Sequence, residues 1–437
     1  MVETIAENLP QRQELERLLA ERREPEAVVN RRREALARFE ALRLPTTRQE
    51  PWRFTDISPL AGIEFVRAAD SELDPALLPP VVGPSSNRLV FVNGRFAPGL
   101  SRFGADPGQA LLGGLSQALL THPERVAEVL ETIPGQEEHY FAAINAVLWE
   151  DGAIVHLPRG KMLEDPIHLI FYATGPDTVN YPRIQLQLED GAQATVVEEY
   201  LGDGRSLTCP VTEVVLGQEA VLDYHKFQTE ATEAWHLGAF RTRLGRNAQL
   251  QGHFATTGGH RVRTDILALV DGEGAHCDLR GLNLTEANQL GDYHVRVEHL
   301  RPHCTSQQLF KGVLDGKSRT VFDGTIYVAP HAQQIDARQN NRNLLLSRYA
   351  LANSNPRLEI LADDVKCSHG STIGFLDPDQ LFYLRSRGIG ERQARAMLVY
   401  AFAGESIEDI RLEPLRERLE RLLIGRLYPE ILTGEIS

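Results

Sequence analysis

A repeat constrains this chain more than any other feature. Gly191-x-x-Ala194, Gly217-x-x-Ala220, Gly245-x-x-Ala248 and Gly272-x-x-Ala275 each open a run of alternating or β-branched residues, with the glycines 26, 28 and 27 residues apart. A period in this range builds stacked arrays, in which each repeat buries its apolar face only against its neighbours. The phase runs on, since Ala275-His276-Cys277 recurs 27 residues later as Pro302-His303-Cys304. The residue two beyond each repeat alanine is Val196, Leu222, Leu250 and Cys277, with Cys304 in the next repeat. That is a column of apolar positions, so Cys277 and Cys304 are expected in a core with His276 and His303 facing outward. Short runs of this kind, separated by Gly, Asp and Asn, extend from about residue 153 to 370 with almost no helical period. The expectation is a mainly β fold built on a β-solenoid.

The flanks differ in texture. Residues 8–43 are charged and helical in pattern, with Leu15, Leu18, Leu19, Leu36, Phe39 and Leu42 spaced for one apolar stripe and Arg31-Arg32-Arg33 on its solvated face. A Pro-rich connector follows over residues 75–84. Leu89-Val90-Phe91-Val92-Asn93-Gly94-Arg95-Phe96 reads as a hairpin around an Asn-Gly turn, and residues 116–149 return to helix. Beyond the repeats, Asp377 caps a helix with Pro378 at its first position and Gly388 as a stop. A second helix carries Ala394, Met397, Leu398, Ala401 and Phe402 on one face; Ser406 with Asp409 opens a third bearing Leu412, Leu415, Leu419, Leu422 and Leu423. The organisation expected is a mostly helical domain with a short hairpin over 1–150, a solenoid core over 151–372 and a helical domain over 373–437. Helical flanks are candidates to cover the solenoid ends, because a terminal coil exposes unpaired strand edges.

Composition narrows the function. With 46 Lys and Arg against 60 Asp and Glu, the net charge of −14 disfavours nucleic acid and anionic membrane as partners. The four cysteines, Cys209, Cys277, Cys304 and Cys367, form neither a disulfide framework nor a CxxC pair, and the start lacks a basic-then-apolar leader. A reducing, cytoplasmic compartment is expected, and Asn283-Leu284-Thr285 reads as a chance match to a glycosylation sequon. There is no Walker-type loop, GxGxxG, GxSxG or HExxH, so any ATP hydrolysis in this protein's process belongs to another chain. A carbohydrate-cleaving solenoid could recruit Asp336, Arg338, Asp363 and Asp364.

The chemistry concentrates where the β region stops, at Asp363-Asp364-Val365-Lys366-Cys367-Ser368-His369-Gly370. In a strand Cys367 and His369 project to one face. A thiolate and a neutral imidazole can both ligate iron or zinc, yet two ligands leave a site incomplete, since structural zinc takes four and an iron–sulfur cluster usually four cysteines. A partner or substrate would supply the rest. The competing reading makes Cys367 a small core residue, because it lies two beyond Val365 in a later, degenerate repeat.

Several stretches together resemble a known family. They are Asp336-Ala337-Arg338-Gln339-Asn340-Asn341-Arg342, the Cys367 segment, Tyr383-Leu384-Arg385-Ser386-Arg387-Gly388, Glu50-Pro51-Trp52-Arg53-Phe54-Thr55 and Phe91-Val92-Asn93-Gly94-Arg95-Phe96. The family is SufB/SufD, of the SUF iron–sulfur cluster assembly scaffold. Cys367-Ser368-His369-Gly370 followed by Ser371-Thr372-Ile373-Gly374 resembles its SufD branch. The resemblance implies a right-handed parallel β-helix flanked by helical domains, acting as a non-catalytic scaffold subunit that pairs with SufB and docks the ATPase SufC. It implies a transient cluster at the SufB interface held by His369 and Cys367 with ligands from SufB, and makes a flavin in the complex a further candidate cofactor. It also implies ATPase docking through Tyr383, Leu384, Arg387, Gly388 and Met397, and residence in the cytoplasm or an organelle stroma. Self-association into a homodimer is the alternative use of a solenoid end.

Overall fold

The computed structural model describes residues 11–427 apart from residues 23, 69–70, 84–85, 105–109, 131–132 and 134–138; residues 1–10 and 428–437 of the two flanks lie outside the described residues. Its centre is a parallel β-solenoid. Strands alternate between a twelve-stranded and a ten-stranded sheet, and from Val221–Gln228 to Val365–Phe375 the latter takes every second strand. Each strand hydrogen-bonds the equivalent strand one coil earlier and one coil later, and inward positions stack into columns.

The turn chemistry sets the repeat. Gly191, Glu219, Asn247, Gly274, His303 and Gln334 all have positive φ, between 54° and 73°, and each precedes the first inward residue of its coil. Those inward residues are Ala192, Ala220, Ala248, Ala275, Cys304 and Ile335, as the ladder registers place them. Two sequence expectations change here. Gly191 occupies the left-handed turn position itself, two residues out of phase with Gly217, so the first repeat spans 28 residues rather than 26. Cys304 stands in the alanine column, and Ser306 stands opposite Cys277. The cause is coil length: strands grow from eight residues in Gln249–Thr256 to ten in His276–Thr285, which breaks a fixed 27-residue phase. Both cysteines are nevertheless fully buried in the main core. His303 sits exposed at its turn, and Asn283 of the sequon is buried in a strand.

The expected hairpin forms, with Asn87–Val92 antiparallel to Arg95–Phe96 around Asn93 (φ 50°) and Gly94 (φ 78°). Its first strand also pairs in parallel with Ile167–Ala173, and Leu111–Gly114 pairs antiparallel with Ala153–Leu157, so the N-terminal segments close that end of both sheets. The N-terminal stripe is two helices, Gln11–Glu21 and Glu26–Ala41, because Pro25 cannot continue the first and stands at the N-cap of the second. Arg32 does not lie on a solvated face. It is 1% exposed, forks onto Glu24 at 2.7 and 2.8 Å, donates to Val147 O and lies 4.1 Å over the Trp149 ring.

The C-terminal helices do not cap the far end. They lie along the outer face of the ten-stranded sheet, where Val197, Phe227, Ala255, Leu282, Leu284, Val313 and Leu344 form an apolar stripe. Helix Glu391–Gly404 meets it with Val399 and Ala403, and helix Glu413–Leu427 with Leu415, Leu419 and Leu423. The buried face of the first is rotated from the expected stripe: Ala394, Ala396, Val399 and Ala403 are buried, and Met397 is exposed. Ser406 and Asp409 fall in the preceding turn, since Pro414 sits at the start of the last helix and sets its beginning at Glu413. Charged anchors fix this packing. Lys311 donates to Phe402 O at 2.7 Å and pairs with Glu405. Arg418 forks onto the fully buried Glu199, whose Oε2 is also 2.9 Å from His168 Nε2.

Burial would raise the Glu199 carboxyl, but His168 and Arg418 outweigh it and hold the group below its ordinary value of 4.5. The folded value lies below the unfolded one. The pair therefore stabilises the fold above about pH 4.5, and that contribution is lost as pH falls further through the folded pKa. Acidification through this window should raise hydrogen exchange in Glu413–Leu427 before the solenoid strands. Glu199→Gln should cost on the order of 3 kcal/mol in urea unfolding and remove that acid transition; unchanged stability would show that the clamp contributes nothing.

Candidate functional site

Among the described residues, nothing pairs with the outer edge of the last coil. Val365–Phe375, eleven residues, pairs on one side with Ile335–Leu345, from Ile335 opposite Val365 to Leu345 opposite Phe375, and is the terminal strand of the ten-stranded sheet. Leu351–Ile360 ends the twelve-stranded sheet in the same way, paired only with Arg319–Val328 among the described residues. Two adjacent edges of open backbone result, with Leu351, Ile373 and Phe375 exposed by 51, 48 and 62%. Long bare edges are strong templates for pairing with another chain.

Cys367 and His369 stand on this coil, two residues apart on the inward phase, as expected. Cys367 ends the column Leu222, Leu250, Cys277, Ser306 and Ala337, at spacings of 28, 27, 29, 31 and 30 residues. It is partly buried and packs on the main core, so the inward phase and the open end both apply to it. Burial pushes its thiol above the ordinary value, opposed by the Ala337 backbone and reinforced by Asp336. It is therefore a thiol at neutral pH, and a metal or electrophile must displace its proton. His369 is exposed at the rim above Gln339 and Gln308, whose amides hydrogen-bond at 2.9 Å inside the core. Among the described residues no third His, Cys, Asp or Glu ligand atom joins Cys367 and His369. Cys367 and His369 thus share one face of the terminal coil.

The five residues expected at a docking surface lie on the C-terminal helices. Helix Pro378–Ser386 is capped by Asp377, which accepts from Asp379 N at 2.8 Å, and it contains no buried residue. Tyr383 is 57% exposed, with the Arg387 guanidinium 5.1 Å from its ring centroid, and Gly388 ends the helix at φ 84°. Leu384 is partly buried. Met397 is 49% exposed on the neighbouring helix, turned away from the sheet. Tyr383 and Met397 are therefore not buried in the packing of these helices. Sequence reasoning missed Phe382, Ile373 and Phe375, which are also exposed; their signal was an apolar side chain in a segment with no repeat beyond it to cover it.

Comparison with known proteins agrees with this architecture. Residues 171–402 match the family described as SUF system FeS cluster assembly, SufBD core domain, and residues 11–169 match the SufBD protein N-terminal region. The chain is 32% identical over 418 residues to an iron–sulfur cluster assembly SufBD family protein of Synechocystis sp., covering 92% of each chain. It is 33% identical over 385 residues to the iron–sulfur cluster assembly protein SufD of Escherichia coli, covering 86% of this chain and 88% of that one. It is 29% identical over 395 residues to the chloroplastic protein ABCI7 of Arabidopsis thaliana, covering 88 and 82%. With a stacked parallel core, an uncovered end carrying a thiol and an imidazole, and matches across nearly its whole length, this chain belongs to the SufBD family of the SUF iron–sulfur cluster assembly system.

Proposed function

We propose that the chain is a non-catalytic scaffold subunit, of the SufD type, on which iron–sulfur clusters are assembled at a junction with a paralogous SufB solenoid. The observation that carries this reading is the uncovered last coil. Val365–Phe375 offers an unpaired edge of eleven residues with apolar side chains beside it, which a second parallel solenoid end would satisfy. Cys367 and His369 sit on that edge as an incomplete ligand set, and a cluster held there would take its remaining ligands from the partner. Cys367 gives up its proton on binding, and His369 serves as a ligand or as the acceptor of that proton. The cluster is cargo, passed on once formed.

The exposed helical pair gives the second contact. Phe382, Tyr383 and Met397 are exposed apolar side chains on these two helices, with Arg387 over the Tyr383 ring and Gly388 at the helix end. We assign this contact to the ABC-type ATPase SufC, since the chain has no phosphate-binding loop of its own. The Lys311–Glu405 anchor at the end of helix Glu391–Gly404 then carries any movement of that helix into the solenoid. Among the described residues no helix is long and apolar enough to cross a membrane, and the proposed compartment is the cytoplasm or a plastid stroma.

Anaerobic co-purification of the tagged chain with SufB and SufC, reading iron, acid-labile sulfide and the cluster and flavin absorption, tests the assembly. A three-component complex with cluster only when complete is expected; a metal-free dimer of this chain, indifferent to both partners, would leave a fold without this function. His369→Ala should keep complex formation and reduce cluster yield at least tenfold. Full yield in that variant would remove the histidine from the mechanism. Tyr383→Glu with Met397→Glu should weaken SufC binding about tenfold, or about 1.4 kcal/mol, with the melting of the solenoid unchanged; unaltered binding would place the ATPase elsewhere.

A further inference from the structure

The outer face of the ten-stranded sheet carries a second, buried cluster. The register places His225 opposite His253 on adjacent coils and Asp223 two residues before His225, so all three side chains share one face. His225 is fully buried, His253 is 4% exposed, and the rings lie parallel, 9° apart, with centroids 4.9 Å apart. His225 Nε2 is 3.0 Å from Asp223 Oδ1, and one donor atom from each residue falls within 4.8 Å of the others. The C-terminal turn closes over this face, and Ser406 lines a small cavity with His253, Arg280 and Ile407.

His225 Nε2 and Asp223 Oδ1 have only each other. His225 Nδ1, both ring nitrogens of His253 and Ser406 Oγ are buried without a hydrogen-bond partner. An orphaned buried donor or acceptor costs roughly 1–3 kcal/mol, so several converging on one place call for an occupant. The facing guanidinium of Arg280 is itself occupied by Asp278 and Asp409.

We infer that Asp223, His225 and His253 form a binding site for one first-row divalent cation, of the zinc or iron(II) class, at the junction between the solenoid and the C-terminal helices. Two imidazoles and one carboxylate suit such ions and leave positions open. Small side-chain rotations bring donors now within 4.8 Å to the roughly 3–4 Å separations of ligands sharing an ion. Ser406 supplies a further oxygen toward the same cavity, so the bound ion ties the turn before the last helix to the sheet. The site is separate from Cys367 and His369: His253 lies four coils from the open end, roughly 19 Å at one strand spacing per coil.

The test uses the full-length chain carrying Cys367→Ser and His369→Gln, stripped with EDTA, so that only the buried site is read. Co2+ alone is titrated against visible absorption and the melting temperature, with Zn2+ as competitor. One Co2+ per chain, displaced by Zn2+ and raising the melting temperature, is expected. Adding His253→Gln or Asp223→Asn should weaken binding at least tenfold. No uptake, or uptake indifferent to His225→Gln and His253→Gln, overturns the site and leaves buried water as the occupant. Should those variants fail to fold, X-ray absorption of the Co2+-loaded parent decides: two imidazoles without sulfur support the site, and sulfur or a single imidazole overturns it.

Discussion

Parallel pairing between successive coils is the interaction on which everything else here depends. A strand in this solenoid cannot close its hydrogen bonds within its own repeat; it takes them from the coil before and the coil after. The N-terminal end meets this demand with the Asn87–Val92 and Leu111–Gly114 strands. At the other end the helices lie along the flank, and the demand is left open at Val365–Phe375 and Leu351–Ile360.

The interior is more polar than a stack of apolar columns requires. Glu198 is fully buried and accepts from Tyr200, Tyr224 and Thr212, while Glu230 accepts from Thr208 and Gln228 and meets His236 at 2.8 Å. Lys226, its ammonium disfavoured by burial, lies 5.0 Å from the Tyr200 ring centroid. Such groups are satisfied only in one coil-to-coil register, so they select against a slip that the repetitive backbone would otherwise tolerate. The flank follows the same logic, with Glu199 clamped by His168 and Arg418 at the foot of the last helix.

At the open end, chemistry and architecture coincide. The column that makes Cys277 a core residue makes Cys367 its last member, and among the described residues no further coil buries it completely. The thiol keeps the raised proton affinity of a buried group while remaining reachable from the end. His369 adds an exposed imidazole one position further along the same face.

The sequence by itself determined the solenoid, the hairpin, the Asp377 cap, the shared face of Cys367 and His369 and the family resemblance, because each rests on local spacing or turn chemistry. Only the tertiary structure decided what depends on packing between distant segments. Coil length drifts with strand length, so Cys304 left the Cys277 column and Gly191 shifted phase. Arg32 is buried because Glu24 and Trp149 fold against it, and Met397 is exposed because the sheet's apolar stripe selected the face carrying Val399 and Ala403. The approach of His225 to His253 required a 28-residue coil to bring two residues into register, a proximity that spacing along one strand does not show.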